Sequence, residues 1–321
     1  MMTTFRRGTK QKRDVATRAS PKAERSGLRY RRMMRATFVL FSVAALAACG
    51  SSPVARGDAP PSRDASSYGL APPPEPLAPP ATAPALRVMS YNVNYGLAGD
   101  GATIDAIAAG EADVVLLQET TPAWEVALRR RFSSRYPHMT FHHCCGAGGL
   151  AALSVHPVRV AQRLEPSDAD AWFPGLRLVV DSHLGPVQMV AVHLRPPVSN
   201  SGSLVSGLFT TPSIRRRQIG DFFAAFDPKL PTVVAGDFNE GSSGRAVSFL
   251  GDRGFRDALP PGGAQSTWRW NTSLGPIEQQ LDHIMHDAAL QPTEVVVRRE
   301  GNSDHLPLVA TFILRPAAPS P

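Results

Sequence analysis

The stretch Pro231–Glu240 reads PTVVAGDFNE and joins an apolar strand directly to polar side chains. Residues 232–235 suit a buried strand, and a glycine then precedes Asp237 and Asn239. Alternate side chains of a strand share one face, so Asp237 and Asn239 point the same way. The stretch therefore predicts a buried strand whose carboxyl end presents a carboxylate and an amide.

The same arrangement recurs along the chain, because polar or ionisable residues stand at or just after other apolar runs. Ligand sites of α/β sheets form at strand ends. Buried charges grouped in one place are typical of a metal site or a proton-transfer network. Each residue alone could be a satisfied polar group at a strand terminus, but the series favours a shared site. Its further members are Asn92, Glu119, His193, Asp282, Ser303, Asp304 and His305.

Strand-like apolar runs alternate with helical stretches from Leu86 onward. Helices are predicted over residues 102–110, 122–132 and 213–226, the last with apolar residues at i, i+3, i+4 and i+7 spacing. Nine or more strands with a few helices predict one α/β domain with a sizeable core. Apolar runs that follow one another with no helix between them predict antiparallel pairs as well.

The positive charge of the chain is confined to its N-terminal part. Residues 1–85 hold 14 of the 34 Lys and Arg residues and 5 of the 27 Asp and Glu residues. The rest of the chain therefore has 20 basic and 22 acidic residues, a net charge of −2. This balance gives the folded part no electrostatic preference for a polyanionic partner.

The N-terminal region predicts export. Four arginines between residues 29 and 35 precede the run ATFVLFSVAALAA (36–48) and then Cys49. The run is too short to span a bilayer as a helix, which needs about 20 residues, and it has the size of a signal-peptide core. Residues 46–49 resemble the bacterial lipobox, whose cysteine is lipidated. An ordinary cleaved signal with a chance cysteine is the alternative.

Three parts follow from these features. We predict a lipoprotein-type signal peptide over residues 1–48, with Met33 or Met34 as an alternative start. A lipidated cysteine and a Pro/Ala-rich disordered linker occupy residues 49–85, whose ten prolines cannot bury enough apolar surface to fold. The domain spans residues 86–321. The resemblance to lipoproteins implies an outer-membrane or cell-surface location, because no aspartate follows the cysteine.

Two further cysteines, Cys144 and Cys145, are adjacent and could close a vicinal disulfide in an exported protein. His142 and His143 precede them, which raises structural zinc as an alternative. Neighbouring strand residues face opposite ways, so at most two of the four could reach one ion, whereas structural zinc takes four protein ligands. We therefore predict ordinary strand residues here, whether paired or not.

Seven segments, taken in order, resemble the endonuclease/exonuclease/phosphatase superfamily. This superfamily includes pancreatic-type DNases, AP endonucleases, sphingomyelinases and inositol-polyphosphate 5-phosphatases. The resemblance covers residues 86–314 and implies a four-layer α/β sandwich, in which two mostly antiparallel sheets pack together between helices. The segments are SYNVNYG (90–96), LLQET (116–120), GLAALSVHPV (149–158), VHLRPP (192–197), GDFNE (236–240), LDHIM (281–285) and SDHLPL (303–308).

The resemblance implies a divalent cation, Mg²⁺ or alternatively Mn²⁺, as cofactor. Asn92 and Glu119 match the residues that hold the cation, with Glu119 as its main carboxylate. Asp304 matches an acid that completes or supports the metal site. This assignment suits Mg²⁺, which is a hard ion, keeps several waters and takes only one or two protein carboxylates.

The resemblance also implies the catalytic residues. Asp237 and Asn239 match the pair that orients and deprotonates the attacking water and binds the phosphate. His305 matches the active-site histidine, and Asp282 matches the carboxylate that orients it. His193 matches a phosphate-contacting histidine that stabilises the pentacoordinate transition state.

These features predict an exported, membrane-anchored phosphodiesterase or phosphatase in which water attacks in line with metal assistance. The substrate would be a phospholipid headgroup, an inositol phosphate or nucleic acid. AP endonucleases carry a Tyr-x-Pro-Asn element where this chain has His193 in HLRP, so the DNase, sphingomyelinase and inositol-phosphatase branches are favoured. An extracytoplasmic nuclease and a catalytically idle binding lipoprotein are the alternatives.

Several residues near these segments have simpler interpretations. The arginines of residues 215–217 are predicted to form a solvated helix face, with a substrate-phosphate contact as the alternative. His156, His283 and His286 match no catalytic position and are expected to be ordinary. Residues 198–212 predict a Gly/Ser-rich loop, which could be a substrate loop, a membrane-touching hairpin or a disordered insertion.

Overall fold

The computed structural model describes residues 84–260, 265–273 and 275–316. The predicted signal peptide, lipidated cysteine and nearly all of the linker lie outside these residues, so the domain boundaries stay a prediction. In the described part, no helix is both long and apolar enough to cross a membrane.

Fourteen strands and four α-helices make up the described residues. The helices are α1 (Gly101–Ala109), α2 (Pro122–Phe132), α3 (Leu204–Phe223) and α4 (Arg245–Gly251). The strands are β1 (Leu86–Asn92), β2 (Val114–Gln118), β3 (His138–His142), β4 (Leu150–Ser154), β5 (Val158–Leu164), β6 (Gly175–Ser182), β7 (Gly185–His193), β8 (Thr232–Asp237), β9 (Arg256–Asp257), β10 (Trp268–Thr272), β11 (Gly275–Gln279), β12 (Asp282–His286), β13 (Leu290–Val297) and β14 (Leu308–Leu314).

The strands form two six-stranded sheets and one separate hairpin. The first sheet has the order β13-β14-β1-β2-β4-β3 and the second has the order β5-β6-β7-β8-β12-β9, while β10 pairs with β11. The neighbours β1 and β2 are parallel, as are β7 and β8. The other pairs within the two sheets are antiparallel. The predicted mixture of mostly antiparallel pairing is therefore confirmed.

The core consists of three apolar layers, which make the fold a four-layer sandwich. Side chains such as Val88 and Met189 fill the space between the two sheets. The outer face of the first sheet packs on α1 and α2 through residues such as Trp124. The outer face of the second sheet packs on α3 and α4 through residues such as Phe222. This confirms the fold class predicted from the sequence.

Local sequence explains where α1 and α2 begin. The Asp100 side chain accepts a hydrogen bond from the Thr103 N–H and caps α1, whereas the Thr121 side chain accepts from the Trp124 N–H and caps α2. Pro122 occupies the first turn of α2, where a missing N–H has no cost. Both helices lie within one residue of their predicted bounds.

The third helix differs from the prediction. It begins at Leu204, nine residues before the predicted start, so the second half of the predicted loop 198–212 is helical. Pro212 directly precedes the predicted start, yet it lies inside α3. The hydroxyls of Thr210 and Thr211 donate to the carbonyls of Ser206 and Gly207. These bonds occupy backbone acceptors in the turn where proline interrupts the regular pattern.

The strands that the sequence did not predict are β3, β5, β9, β10 and β11. Their burial explains the omission, because β3 is half-buried throughout and β5, β10 and β11 are exposed or half-exposed along most of their length. Such strands need no continuous apolar run. They therefore lack the pattern that marks the central strands.

Candidate active site

The predicted site residues converge at one end of the two packed sheets. Asn92 ends β1 and Glu119 directly follows β2 in the first sheet, and Asp304 and His305 lie in the segment before β14. In the second sheet His193 is the register partner of Asp237, and Asp282 pairs with Asp237 from the other side. The site residues at the strand ends of both sheets therefore lie close together. Asn239, two residues after Asp237, belongs to the same group.

Asp237 lies at the centre of this group and contacts side chains from both sheets. Its Oδ2 accepts a hydrogen bond of 3.2 Å from Asn92 Nδ2. The Nε2 atoms of His193 and His305 each lie 3.5 Å from the same oxygen. The carboxyl is 1 % exposed, and this burial raises its pKa above the ordinary value despite the two neighbouring histidines. A carboxyl with a raised pKa is a stronger base than an ordinary aspartate.

His305 is held by the second carboxylate of the group. Its Nδ1 lies 2.9 Å from Asp282 Oδ2, and both side chains are buried. Burial opposes protonation of the imidazole, but Asp282 and Asp237 together raise the pKa of His305 well above its ordinary value. The Asp282–His305 pair thus fixes the ring and keeps it in the imidazolium form, with Nε2 directed at Asp237.

The pKa of His193 is shifted in the opposite direction from that of His305. Its Nδ1 lies 3.1 Å from the carbonyl oxygen of Ala147, and its ring packs 4.6 Å from that of Phe173. Burial lowers the pKa of His193, which Asp237 only partly offsets. The two imidazoles on opposite sides of the same carboxyl group therefore have pKa values shifted in opposite directions.

Glu119 and Asp304 form an oxygen-rich part of the site. The backbone N–H of Tyr95 donates to Glu119 Oε2, and Asn92 Nδ2 donates to Glu119 Oε1. Asn94 Nδ2 donates to one oxygen of Asp304, and Trp268 Nε1 donates to the other. Burial, with a smaller contribution from the Asp304 charge, raises the pKa of Glu119 to about 7. Two neighbouring carboxyl groups, one of them destabilised as an anion chiefly by burial, fit a divalent cation with hard oxygen ligands.

A second group of possible ligands adjoins the first. Among the described residues, Asp237, Asp282 and His305 have ligand atoms that all lie within 4.8 Å of one another. Asp282 Oδ1 is buried without a hydrogen-bond partner. From the sequence, these three residues are assigned to catalysis and not to the metal. The structure therefore offers two adjoining sets of possible metal ligands. Asn92 Nδ2 joins them, because it donates to both Glu119 and Asp237.

The backbone around the site is unusual. Glu119 and Asn239 have φ values of 62° and 53°, in the left-handed region that residues other than glycine rarely adopt. Gly236 approaches the neighbouring strand so closely that a Cβ there would lie 1.9 Å from the Val192 carbonyl oxygen. The glycine of the GDFN segment is therefore required by packing, and non-glycine strain is concentrated at the site.

Asn239 is anchored from both ends. Its backbone N–H donates to Asp237 Oδ1 at 2.8 Å, and its side-chain Nδ2 donates to the Leu194 carbonyl at 3.0 Å. The amide oxygen takes part in neither of these bonds. The turn after β8 is thereby tied to the segment that follows β7.

Sequence reasoning missed a buried network behind this turn. Arg215 Nε donates to Glu240 Oε2 at 2.8 Å, and both side chains are buried. The other Glu240 oxygen accepts from the Val247 N–H at the start of α4. The prediction of a solvated face over residues 215–217 is thus wrong for Arg215. The sequence did not predict this pair, because its two residues are 25 positions apart. The only signal was the acidic residue at the end of the GDFNE segment.

His283 belongs to the same network. Its two ring nitrogens lie 2.6 Å from Asp257 Oδ2 and 2.8 Å from the Glu240 carbonyl oxygen. Burial opposes protonation, but the bond to Asp257 raises the pKa of His283 overall. These two bonds connect Asp257 to the turn that contains Glu240, so His283 helps to position this turn.

The segment that follows β3 bounds the site on the side of His193. Cys144 and Cys145 form a disulfide in this loop. They are not strand residues, which corrects the sequence prediction, and His143 pairs with Glu125. Ala147, which contacts His193, lies two residues after the disulfide.

Comparisons with known proteins agree with this geometry. The Endonuclease/Exonuclease/phosphatase family profile matches residues 89–305. A search of curated proteins found no significant match.

Three solved structures show the same fold at low identity. A functionally unknown conserved protein from Enterococcus faecalis V583 has 17 % identity and a TM-score of 0.58, covering 72 % of this chain and 100 % of its own. D. rerio TDP2, complexed with single-strand DNA product, has 18 % identity and a TM-score of 0.55, covering 71 % and 98 %. An AP endonuclease from Archaeoglobus fulgidus has 19 % identity and a TM-score of 0.53, covering 70 % and 98 %. On the profile match over most of its length, this chain belongs to the endonuclease/exonuclease/phosphatase family.

Proposed function

We propose that this chain is an exported hydrolase of phosphoester bonds that depends on a divalent metal. Members of its family are generally metal-dependent phosphoesterases. The observation that carries the proposal is the buried Asp237 carboxyl, contacted by His193, His305 and Asn92 and adjoining the Glu119–Asp304 pair. Hydrolysis of a phosphoester by water requires such groups: a base, two imidazoles and a site for a cation.

Glu119 and Asp304 would hold the cation, with the Asn92 side chain beside them. The alternative set of Asp237, Asp282 and His305 is less suitable, because His305 Nδ1 is already bonded to Asp282 and its Nε2 faces Asp237. When bound, Mg²⁺ would neutralise charge on the phosphoryl and departing oxygens. Asn92 links the cation site to the base by its two hydrogen bonds.

The chain's own residues supply the proton transfers. Asp237 accepts a proton from the attacking water, whose oxygen bonds to phosphorus while the ester bond to the leaving oxygen breaks. The Asp282-held imidazolium of His305 provides positive charge and a proton for developing oxygen charge. With Nδ1 donating to the Ala147 carbonyl, His193 would contact a phosphoryl oxygen from the opposite side through Nε2, which donates when the ring is protonated. Asn239, fixed by Leu194, presents its amide to the water or the phosphate.

The cellular setting is part of the proposal. The arginines, the short apolar run and the LAAC segment at residues 46–49 support a lipoprotein signal. A tether at Cys49 followed by the proline-rich linker would hold the domain at an extracytoplasmic membrane surface. The linker would extend by about 3 Å per residue where it adopts polyproline geometry.

An extracytoplasmic nuclease is the second candidate, supported by the single-strand DNA product in the zebrafish protein of the same fold. The slightly acidic domain is unfavourable for this function, because nonspecific binding of nucleic acid depends on cationic contacts to phosphates. A binding lipoprotein without activity is a further alternative, although the required side chains are all present.

One experiment tests these functions together. The purified full chain is assayed with plasmid DNA, a phospholipid and inositol phosphates, each with Mg²⁺, Mn²⁺ or EDTA. We expect hydrolysis of at least one substrate, which EDTA abolishes. The variants Asp237→Ala and His305→Ala should each lower turnover by about a thousandfold, whereas the surface variant Asp181→Asn should not.

The outcomes separate the candidates. Cleavage of DNA alone identifies the nuclease, and the absence of all turnover with either metal identifies the binding lipoprotein. Full activity in EDTA, or in both site variants, contradicts the mechanism.

A further inference from the structure

The first half of α3 exposes large apolar side chains to solvent. Val205, Leu208 and Phe209 are 64 %, 61 % and 83 % exposed. They account for three of the five large apolar side chains that the described residues expose. Their spacing places them on one side of the helix, where Pro212 continues the same stripe. Clustered exposure of this kind marks an interaction surface, whereas single exposed apolar residues do not.

Positively charged residues adjoin the apolar stripe. Arg216 lies seven residues after Phe209, two helical turns along the same side, and is exposed. Arg216 and Arg245 line a groove of about 370 Å³ between α3 and α4, together with Ser248, Phe249 and Asp252. Residues 204–220 contain no acidic side chain. An apolar stripe next to cationic residues is the pattern of a helix that lies in a membrane interface.

The opposite side of α3 is firmly packed, so the exposed stripe is not a poorly fitted core. Gly207 lies so close to the preceding loop that a Cβ there would be 2.4 Å from the Pro197 carbonyl oxygen. Thr211 and Arg215 are buried on that side, and Arg215 donates to the Arg195 carbonyl. The apolar residues therefore face outward from a fixed helix.

The stripe is also close in structure to the catalytic group. The loop that leads into α3 starts at Leu194, whose N–H donates to the Asp237 carbonyl and whose carbonyl accepts from Asn239. Arg195, in the same loop, is tied to α3 through Arg215. A surface that contacts the stripe would therefore lie beside the segment that supports the base.

We infer that the stripe of Val205, Leu208, Phe209 and Pro212 inserts into a phospholipid bilayer with anionic headgroups. Apolar side chains would enter the acyl region, and the Arg216–Arg245 groove would receive a headgroup phosphate. The predicted tether at Cys49 supports this partner, because it keeps the domain next to a membrane. The adjoining positive charge of Arg216 and Arg245 favours an anionic surface over a second copy of the chain, which is an outcome of the test below.

Insertion can be measured at the stripe itself, in the full chain. Cys49→Ser removes the lipidation site, and Cys144 and Cys145 are bonded to each other, so an introduced cysteine is the only free thiol. An environment-sensitive fluorophore is attached at Phe209→Cys or, as matched control, at Val126→Cys. Val126 is 69 % exposed on α2, which packs on the other sheet. Both variants keep the same N-terminal region.

We expect a severalfold rise in fluorescence at position 209 with vesicles of phosphatidylcholine and phosphatidylglycerol, and quenching by nitroxides on the acyl chains. Pure phosphatidylcholine should give a smaller rise, and position 126 should change little. Equal responses at both positions, or none at 209, would overturn the inference. If fluorescence at position 209 rises with protein concentration in the absence of vesicles, the stripe contacts a second copy of the chain instead.

A second pair of variants tests the same surface without a label. Replacing Leu208 and Phe209 together by serine should weaken vesicle binding of the Cys49→Ser chain by at least about tenfold. Val126→Ser should leave binding unchanged, and both variants should keep the thermal unfolding of the parent. Unchanged binding of the double variant contradicts the inference. Neither measurement needs turnover, so failure of this inference and failure of the proposed hydrolysis are distinguishable.

Discussion

The imidazole of His305 is bonded to the carboxylate of Asp282, with 2.9 Å between Nδ1 and Oδ2, and both groups are buried. The two residues come from different segments, 23 positions apart, and meet because β12 begins at the edge of the sandwich where the segment before β14 lies. This pair sets the charge of the ring that lies 3.5 Å from Asp237.

The first prediction concerns the pH profile of Asp282→Asn. The raised pKa of His305 keeps the imidazolium present as pH rises, so activity that needs this proton is lost only above that pKa. Removing the carboxylate lowers the pKa, so the alkaline limb of kcat/KM should move to lower pH by roughly one to two units. The matched control is Asp257→Asn, which alters the Asp257–His283 pair behind the site. An unmoved alkaline limb in Asp282→Asn rules out this function for His305.

The second prediction concerns metal affinity. Burial raises the pKa of Glu119 to about 7, so a proton competes with the cation at and below neutral pH. Mn²⁺ binding, followed by electron paramagnetic resonance, should therefore weaken as pH falls through this value. Glu119→Gln should bind at least about tenfold more weakly, with little dependence on pH over that range. Wild-type affinity in Glu119→Gln, with Glu125→Gln as control, would assign the cation to the other ligand set.

The third prediction compares two adjacent arginines. Arg215→Met leaves Glu240 buried without its charged partner and should lower the free energy of unfolding by about 3 kcal/mol or more. Arg216→Met removes an exposed side chain and should change it by less than about 0.5 kcal/mol. Urea denaturation measures both. Equal losses in the two variants would show that the Arg215–Glu240 pair does not stabilise the turn.

The fourth prediction concerns Gly236. Gly236→Ala places a Cβ against the Val192 carbonyl, so β7 and β8 must separate where His193 and Asp237 pair. We expect a loss of at least about 2 kcal/mol in unfolding free energy together with most of the activity. Gly251→Ala, in α4, meets nothing within 4 Å and serves as control. A stable, active Gly236→Ala chain would contradict the close approach.

The order of amino acids is enough to predict which chemical groups the chain carries and which strands present them. Central strands such as β1 and β8 are buried on both faces, so they appear as continuous apolar runs. The starts of α1 and α2 depend on local sequence, because Asp100 and Thr121 cap these helices through bonds to residues three positions away. Local patterns of this kind need no knowledge of the rest of the fold.

Tertiary structure decided which groups meet and which arginine is buried. Asn92 reaches Asp237 from the other sheet, and no local pattern encodes how one sheet packs on another. Arg215 and Arg216 are identical neighbours in the sequence, yet one pairs with Glu240 while the other faces solvent. The free energy of burying a charge depends on a partner that only the assembled chain supplies. For that reason the sequence predicts which residues form the site but not which of them contact one another.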